Sequence, residues 1–349
     1  MKQLSISLFT VLFLAGMVYA QDHTAEVNQS GDDNQATVDQ SAIGYEALIN
    51  QSGTSLTASI LQFDASDSGN MTGSSATINQ SGSDHDAEIE QQGYGDEATI
   101  NQSGEGLGNY AGIIQNTTSS MGESGQASAS VTIDQQGQQN QAFVEQIGGK
   151  WNTGEELNVS GVTQIGTGNY VDIFQNNNTP DGVGQNASVY QEGNDNVAEI
   201  YQDSEGVLDA SRSNTTEVSQ LGDNGEALIS QSGVGGHIEL TQYANDFADI
   251  AQTSSDGSGG DGNVVRLEQD GGSSANISQS YAPSNPADWG KNRLSGIGDE
   301  FSAATQTNGA QLNLTQEGSG NWLQLEQDGG IANVTQSGHG NQAIISQEP

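Results

Sequence analysis

The sequence predicts an all-β protein: a β-solenoid of about twelve two-stranded rungs, with two parallel sheets facing each other in a cross-β-like stack. Three observations predict it. A five-residue alternation of a small or aliphatic residue, any residue, an aliphatic residue, any residue and Gln recurs 24 times along the chain. The commonest distance from one segment start to the next is eleven residues. Every unusually long connection follows an even-numbered segment.

The segments run from Ala25/Val27/Gln29 to Ala343/Ile345/Gln347, and the middle position is Val, Ile or Leu in all 24. Alternation over five residues is the period of a strand with one buried face. The intervening Glu, Thr, Asn, Asp and Ser suit a solvated face. Gly, Asn, Ser and Asp recur too often for a helix and mark turns instead. A further candidate, Ser302/Ala304/Gln306, carries only Ala at the middle position and is not counted.

The long connections follow segments 4, 8, 10, 12, 14, 18 and 20. If odd and even segments pair as rungs, all these insertions leave from one edge of the stack, as loops on solenoids do. The expected organisation is a solenoid over residues 21–279, an inserted loop at 280–311, and C-terminal repeats over 312–349 that complete the stack. A polar Gln at an inward position needs a hydrogen-bonding partner, or it costs about 1–3 kcal/mol. A ladder of Gln amides from layer to layer would supply one.

Residues 1–20 read as a signal peptide: Lys2, an apolar run from Leu4 to Val18, and Val18-Tyr19-Ala20 before the expected cleavage. Removing Lys2 takes the formal net charge from −39 to −40. Such a surface repels nucleic acid and anionic lipid, so neither nucleic-acid binding nor membrane insertion is expected. The chain has no cysteine, so disulfides contribute nothing to its stability.

At these residues the chain resembles the curlin family, the subunits of curli fibres, whose repeat reads Q-x-G-x-x-N-x-A-x-x-x-Q. Gln29, Gly31, Asn34, Ala36 and Gln40 match it in full. So do Gln135, Gly137, Asn140, Ala142 and Gln146, then Gln191, Gly193, Asn196, Ala198 and Gln202. Near the end stand Gln336, Gly338, Asn341, Ala343 and Gln347. Gln164, Gly166, Asn169 and Gln175 fit with Val171 in the Ala place, and Gln316, Gly318, Asn321 and Gln327 fit with Leu323 there. The resemblance implies an amyloid-core ladder built on these residues. It also implies a secreted homopolymer on the cell surface, exported through the periplasm and a dedicated outer-membrane pore. Templating by a nucleator subunit and a role in biofilm matrix and adhesion follow from it too. The chain departs from the family in having more rungs and no Gly-rich targeting segment before Ala25. The last repeats lack a nucleator's basic residues, which points to a major-subunit role.

No catalytic or cofactor chemistry is expected. The histidines His23, His85, His237 and His339 lack the spacing of a metal set, and the last three read as solvated turn residues. The single stretch at residues 256–263 resembles a calcium turn but does not repeat, so it reads as a linker. The carboxylates are spread over outward positions and single out no acid–base pair. Of the three tryptophans, Trp151, Trp289 and Trp322, two fall in or at the edge of inserted loops and read as loop packing. Only Glu348-Pro349 follows the last segment, and no cap is read before Ala25, so both ends are expected to be open. The competing reading is a monomeric β-solenoid adhesin whose one-edge loops form the working surface. The irregular outward positions Glu26, Thr37, Leu48, Ser59, Thr77 and Glu88 argue against an ice-binding array.

Overall fold

The computed structural model describes residues 23–41, 44–63, 73–93, 95–117, 128–148, 156–177, 184–204, 213–233, 235–254, 262–281, 291–298 and 301–349. The expected signal peptide, Trp151, Trp289 and most of the calcium-like stretch lie outside the described residues.

Every segment predicted by the alternation is a strand. In chain order they begin with β1 Thr24–Asp32, β2 Gln35–Ser41, β3 Glu46–Thr54, β4 Thr57–Phe63, β5 Ser75–Ser83 and β6 Asp86–Gly93. There follow β7 Glu97–Gly104, β8 Tyr110–Thr117, β9 Ser128–Gln138, β10 Gln141–Gly148, β11 Glu156–Thr167 and β12 Tyr170–Asn177. The next are β13 Asn186–Asn194, β14 Val197–Asp203, β15 Thr215–Leu221, β16 Glu226–Ser232, β17 His237–Gln242 and β18 Phe247–Ser254. After β19 Val264–Gln269 and β20 Ser274–Tyr281 come two short strands, β21 Arg293–Ser295 and β22 Ala304–Thr307. The last are β23 Gln311–Ser319, β24 Trp322–Asp328, β25 Ile331–His339 and β26 Gln342–Gln347.

Odd strands up to β19 form sheet A and even strands up to β20 form sheet B, all parallel within their sheet. The register is strict, because a slip of one residue would turn every apolar side chain outward. Ala47 lies on Ala76, Ile49 on Ile78, Gln51 on Gln80 and Gly53 on Gly82. The core is the thin space between the sheets, where Ile78, Ile89, Ile100 and Ile113 are fully buried. Each such isoleucine contributes about 1.5–3 kcal/mol by leaving water.

The expectation that residues 280–311 are only an inserted loop is corrected. Leu294 of β21 pairs with Val265 below and Leu323 above. Ala304 of β22 pairs with Leu267, and Gln306 sits between Gln269 and Gln327. The two short strands therefore share one layer of sheet A. The chain leaves that layer after Ser295 and rejoins it at Ala304. The Gly296 N–H closes the excursion by donating to Ser302 O at 2.9 Å. The sequence hid this layer because its small position is Leu294 and its middle position is the short Ala304.

The extra layer also changes the pairing that follows. The Leu312 segment, β23, was expected to open a new odd–even rung; it pairs instead with β20 in sheet B. From there β24 and β26 belong to sheet A and β25 to sheet B. Sheet A has fourteen strands in thirteen layers and sheet B twelve strands in twelve layers.

Candidate assembly interface: the amide ladders and the end rungs

Every inward Gln of one sheet donates its amide N–H to the amide oxygen of the Gln one layer further along. In sheet A the ladder runs from Gln29 through Gln135, Gln164 and Gln191 to Gln327 and Gln347, with N···O distances of 2.6–3.2 Å. In sheet B it runs from Gln40 through Gln146, Gln175 and Gln202 to Gln316 and Gln336, at 2.7–3.1 Å. All these bonds point the same way, from the N-terminal layer to the C-terminal one. The second amide hydrogen crosses the core. Gln135 donates to Tyr110 O at 2.9 Å, Gln164 to Gln141 O at 2.9 Å and Gln191 to Tyr170 O at 3.0 Å. Such a Gln joins two layers and also ties sheet A to sheet B, a cross-link that the sequence pattern did not disclose.

The Asn of the repeat sits at the tight turn and bridges layers there. Asn140 donates to Gly166 O at 3.0 Å and accepts the backbone N–H of Asn169 at 3.1 Å. Asn169 repeats this with Gly193 and Asn196, at 2.9 and 3.1 Å. Asn34 bonds Gly53 O and the Leu56 N–H, and Asn321 bonds Gly338 O and the Asn341 N–H. The residue before the Asn takes a left-handed conformation: Asp33, Gln139 and Asp195 have φ of 58°, 55° and 55°. Glycine takes that place at Gly168, Gly320 and Gly340. The repeat's own glycine is required for a second reason. Gly137 has φ +118°, and a Cβ on it would strike Gly166 O in the next layer. Gly31 and Gly193 are built in the same way, against Gly53 O and Gly222 O. The small position is closed by Ala142 and Ala198, both buried, while Ala36 and Ala343 in the end rungs are partly exposed.

Two turn positions depart from the sequence reading. His85 is not a solvated turn residue: it is 1% exposed and occupies the Asn place. Its Nδ1 accepts the Asn109 N–H at 3.0 Å, so the ring hydrogen is on Nε2, facing Ser81 O and Gly104 O. Burial pushes its pKa below the usual value, although those two carbonyls oppose the shift. Nor are all carboxylates outward. Asp96 is 1% exposed at the opposite edge, accepting from Thr117 Oγ1 at 2.6 Å and the Ala129 N–H at 3.1 Å. Desolvation raises its pKa from 3.8 to about 7. Asp246 is likewise buried and raised by desolvation, with the Ser273 N–H at 2.7 Å. His237 is half-buried and His339 exposed. Trp322 packs on the interrupted layer, its indole N–H donating to Ser295 Oγ at 2.9 Å.

The end rungs differ from the interior. Val27 in the first layer is 44% exposed, whereas Ile49 directly above it is fully buried. Val38 at one end, and Val334 and Ile345 at the other, are only partly buried. The N-terminal end presents the amide oxygens of Gln29 and Gln40, and the C-terminal end presents the amide nitrogens of Gln336 and Gln347.

Residues 212–243 match the curlin-associated repeat family. The chain carries a curlin-associated repeat there. No curated protein matches the chain. The matched stretch covers β15, β16 and β17, in which Gly225 takes the Asn place, so family likeness is not confined to the repeats whose five positions match in full. The strands on either side of the matched stretch pair with it in one register.

Proposed function

We propose that the chain is a secreted structural subunit that stacks head to tail into an extracellular curli-type fibre, and that it performs no catalysis. One observation carries this reading: the end rungs leave core side chains partly exposed, and their amide ladders end in complementary groups. Donors stand at the C-terminal end and acceptors at the N-terminal end, so a second copy of the same chain fits each end. Exposed parallel strand edges template further strands. The curlin repeat supports the curli-type assignment. Roles in biofilm matrix and surface adhesion, export through an outer-membrane pore, and templating by a nucleator belong to the same proposal and rest on the family.

Size-exclusion chromatography and electron microscopy of the processed chain over several days test this reading. Loss of monomer into unbranched filaments is expected. A chain that stays monomeric would favour the surface-binding solenoid, for which the one-edge connections are the working surface.

A further inference from the structure

Among the described residues, the first layer begins with a sheet A strand, β1, and the last strand, β26, also belongs to sheet A. Sheet A is therefore one layer taller than sheet B. We propose that successive copies in the fibre are related by a half-turn about its axis. Strand β1 of the next copy then continues sheet B by pairing with β25, and its β2 continues sheet A by pairing with β26. This inference rests on the head-to-tail reading above.

Layer counting carries the first argument. Copies stacked without rotation would add thirteen layers to one fibre sheet and twelve to the other. Sheet B would then fall short by one layer, about 4.8 Å, at every junction. That gap would leave a strand's backbone groups and its Gln buried without partners, which is costly. With the half-turn, each fibre sheet takes thirteen layers from one copy and twelve from the next, and no gap arises.

The second argument is chemical. A half-turn exchanges the sheets, so both must present the same columns, and they do: small, aliphatic and Gln in each. Both edges also turn alike. Asn140 at the edge leading from A to B and Asn321 at the edge leading from B to A make the same two bonds, to a glycine carbonyl and to an Asn N–H in the next layer. The two end rungs match position for position. Rotated onto each other, Val27 lies on Val334, Gln29 on Gln336, Gly31 on Gly338, Asn34 on Asn341, Val38 on Ile345 and Gln40 on Gln347. The Gln336 and Gln347 amides then point at the Gln29 and Gln40 oxygens. His339 comes beneath Asp32, where its imidazole can donate to the carboxylate.

The arrangement has a visible consequence. The long connections after β4, β8, β10, β12, β14, β18 and β20 all leave from one edge of the subunit. In the rotated fibre that edge alternates sides, repeating on either side about every 120 Å, the span of two copies at about 4.8 Å per layer.

Cysteine pairs test the junction, since the chain contains no cysteine. Ser30 and Ser337 are both exposed on the outward face. In the rotated fibre they lie on adjacent strands at about 4.8 Å, within disulfide reach. Without rotation, Ser30 would lie over Glu348 instead. Fibres of the Ser30→Cys/Ser337→Cys chain, oxidised after assembly, are expected to give a ladder of covalent multimers, and those of Ser30→Cys/Glu348→Cys are not. Cross-linking in the second variant alone, or in neither, overturns the half-turn while leaving the fibre intact. A chain that forms no fibres overturns both readings at once.

Discussion

At the scale of single residues, the protein is held by amides that satisfy one another in columns. Gln164 lies within such a column, bonded to Gln135 below, Gln191 above and Gln141 O across the core. Gln164→Ala leaves the Gln135 donor and the Gln191 acceptor buried without partners, at about 1–3 kcal/mol each. Urea unfolding of the monomer should show a loss of about 2–5 kcal/mol, and a change below 1 kcal/mol would mean that the ladder adds little. Three buried titratable residues, Asp96, Asp246 and His85, stand in the Asn place and make stability depend on pH. Asp96, with its folded pKa raised from 3.8 to about 7, contributes fully below pH 3.8, and that contribution is lost as pH rises towards 7. Asp96→Asn restores the amide of the equivalent Asn158 and Asn214 positions. It should stabilise the protein above pH 7 by up to about 4 kcal/mol and change little below pH 3.8. His85 acts in the opposite sense: its lowered pKa costs stability as pH falls below 6.5, because burial disfavours the charged ring in the folded site. His85→Asn should remove that acid-side loss in thermal melts between pH 5 and 8.

At the scale of elements, the turn sets the layer spacing, and two glycines separate its requirements. Gly137→Ala places a side chain at φ +118° against Gly166 O. It should cost at least about 1–3 kcal/mol for the backbone alone. Gly161 meets nothing within 4 Å and has no positive φ, so Gly161→Ala should be neutral or stabilising by about 0.5–1 kcal/mol. Equal melting temperatures for the two variants would contradict this account of the turn. The strands themselves were legible because a buried-face alternation survives any choice of outward residue. The Gln column was legible because a polar residue at a fixed inward place needs an identical neighbour. The interrupted layer was not legible. Leu294 and Ala304 belong to one strand position but are split by an excursion, and no local period spans such a break. His85 was misread because a turn position looks solvated until the Asn column shows that it points inward. The cross-core bonds, such as Gln164 to Gln141 O, depend on the distance between the sheets, which no pattern along the chain reports.

At the scale of the whole molecule, stacking opposes charge. The formal net charge of −39 repels an incoming copy. Assembly followed by thioflavin-T fluorescence should be slow at neutral pH in dilute buffer and faster with added salt, which screens the repulsion. It should also quicken towards the pI of 4.1, where carboxylates are titrated and Asp96 is neutral. Rates indifferent to both would remove the electrostatic barrier from the account. Below pH 6.5 the wild-type chain works against His85, so the acid acceleration should be larger in His85→Asn. The basis of the proposed stacking was legible in the sequence because the repeat that makes the core also makes the ends. The odd number of layers was not, since it depends on the hidden strand position of β21 and β22. X-ray fibre diffraction from aligned, aged protein tests the central claim most directly. Parallel strands stacked along the fibre should give a meridional reflection near 4.8 Å and an equatorial one near 10 Å. An aged sample that gives neither, and remains soluble without filaments, would contradict the account.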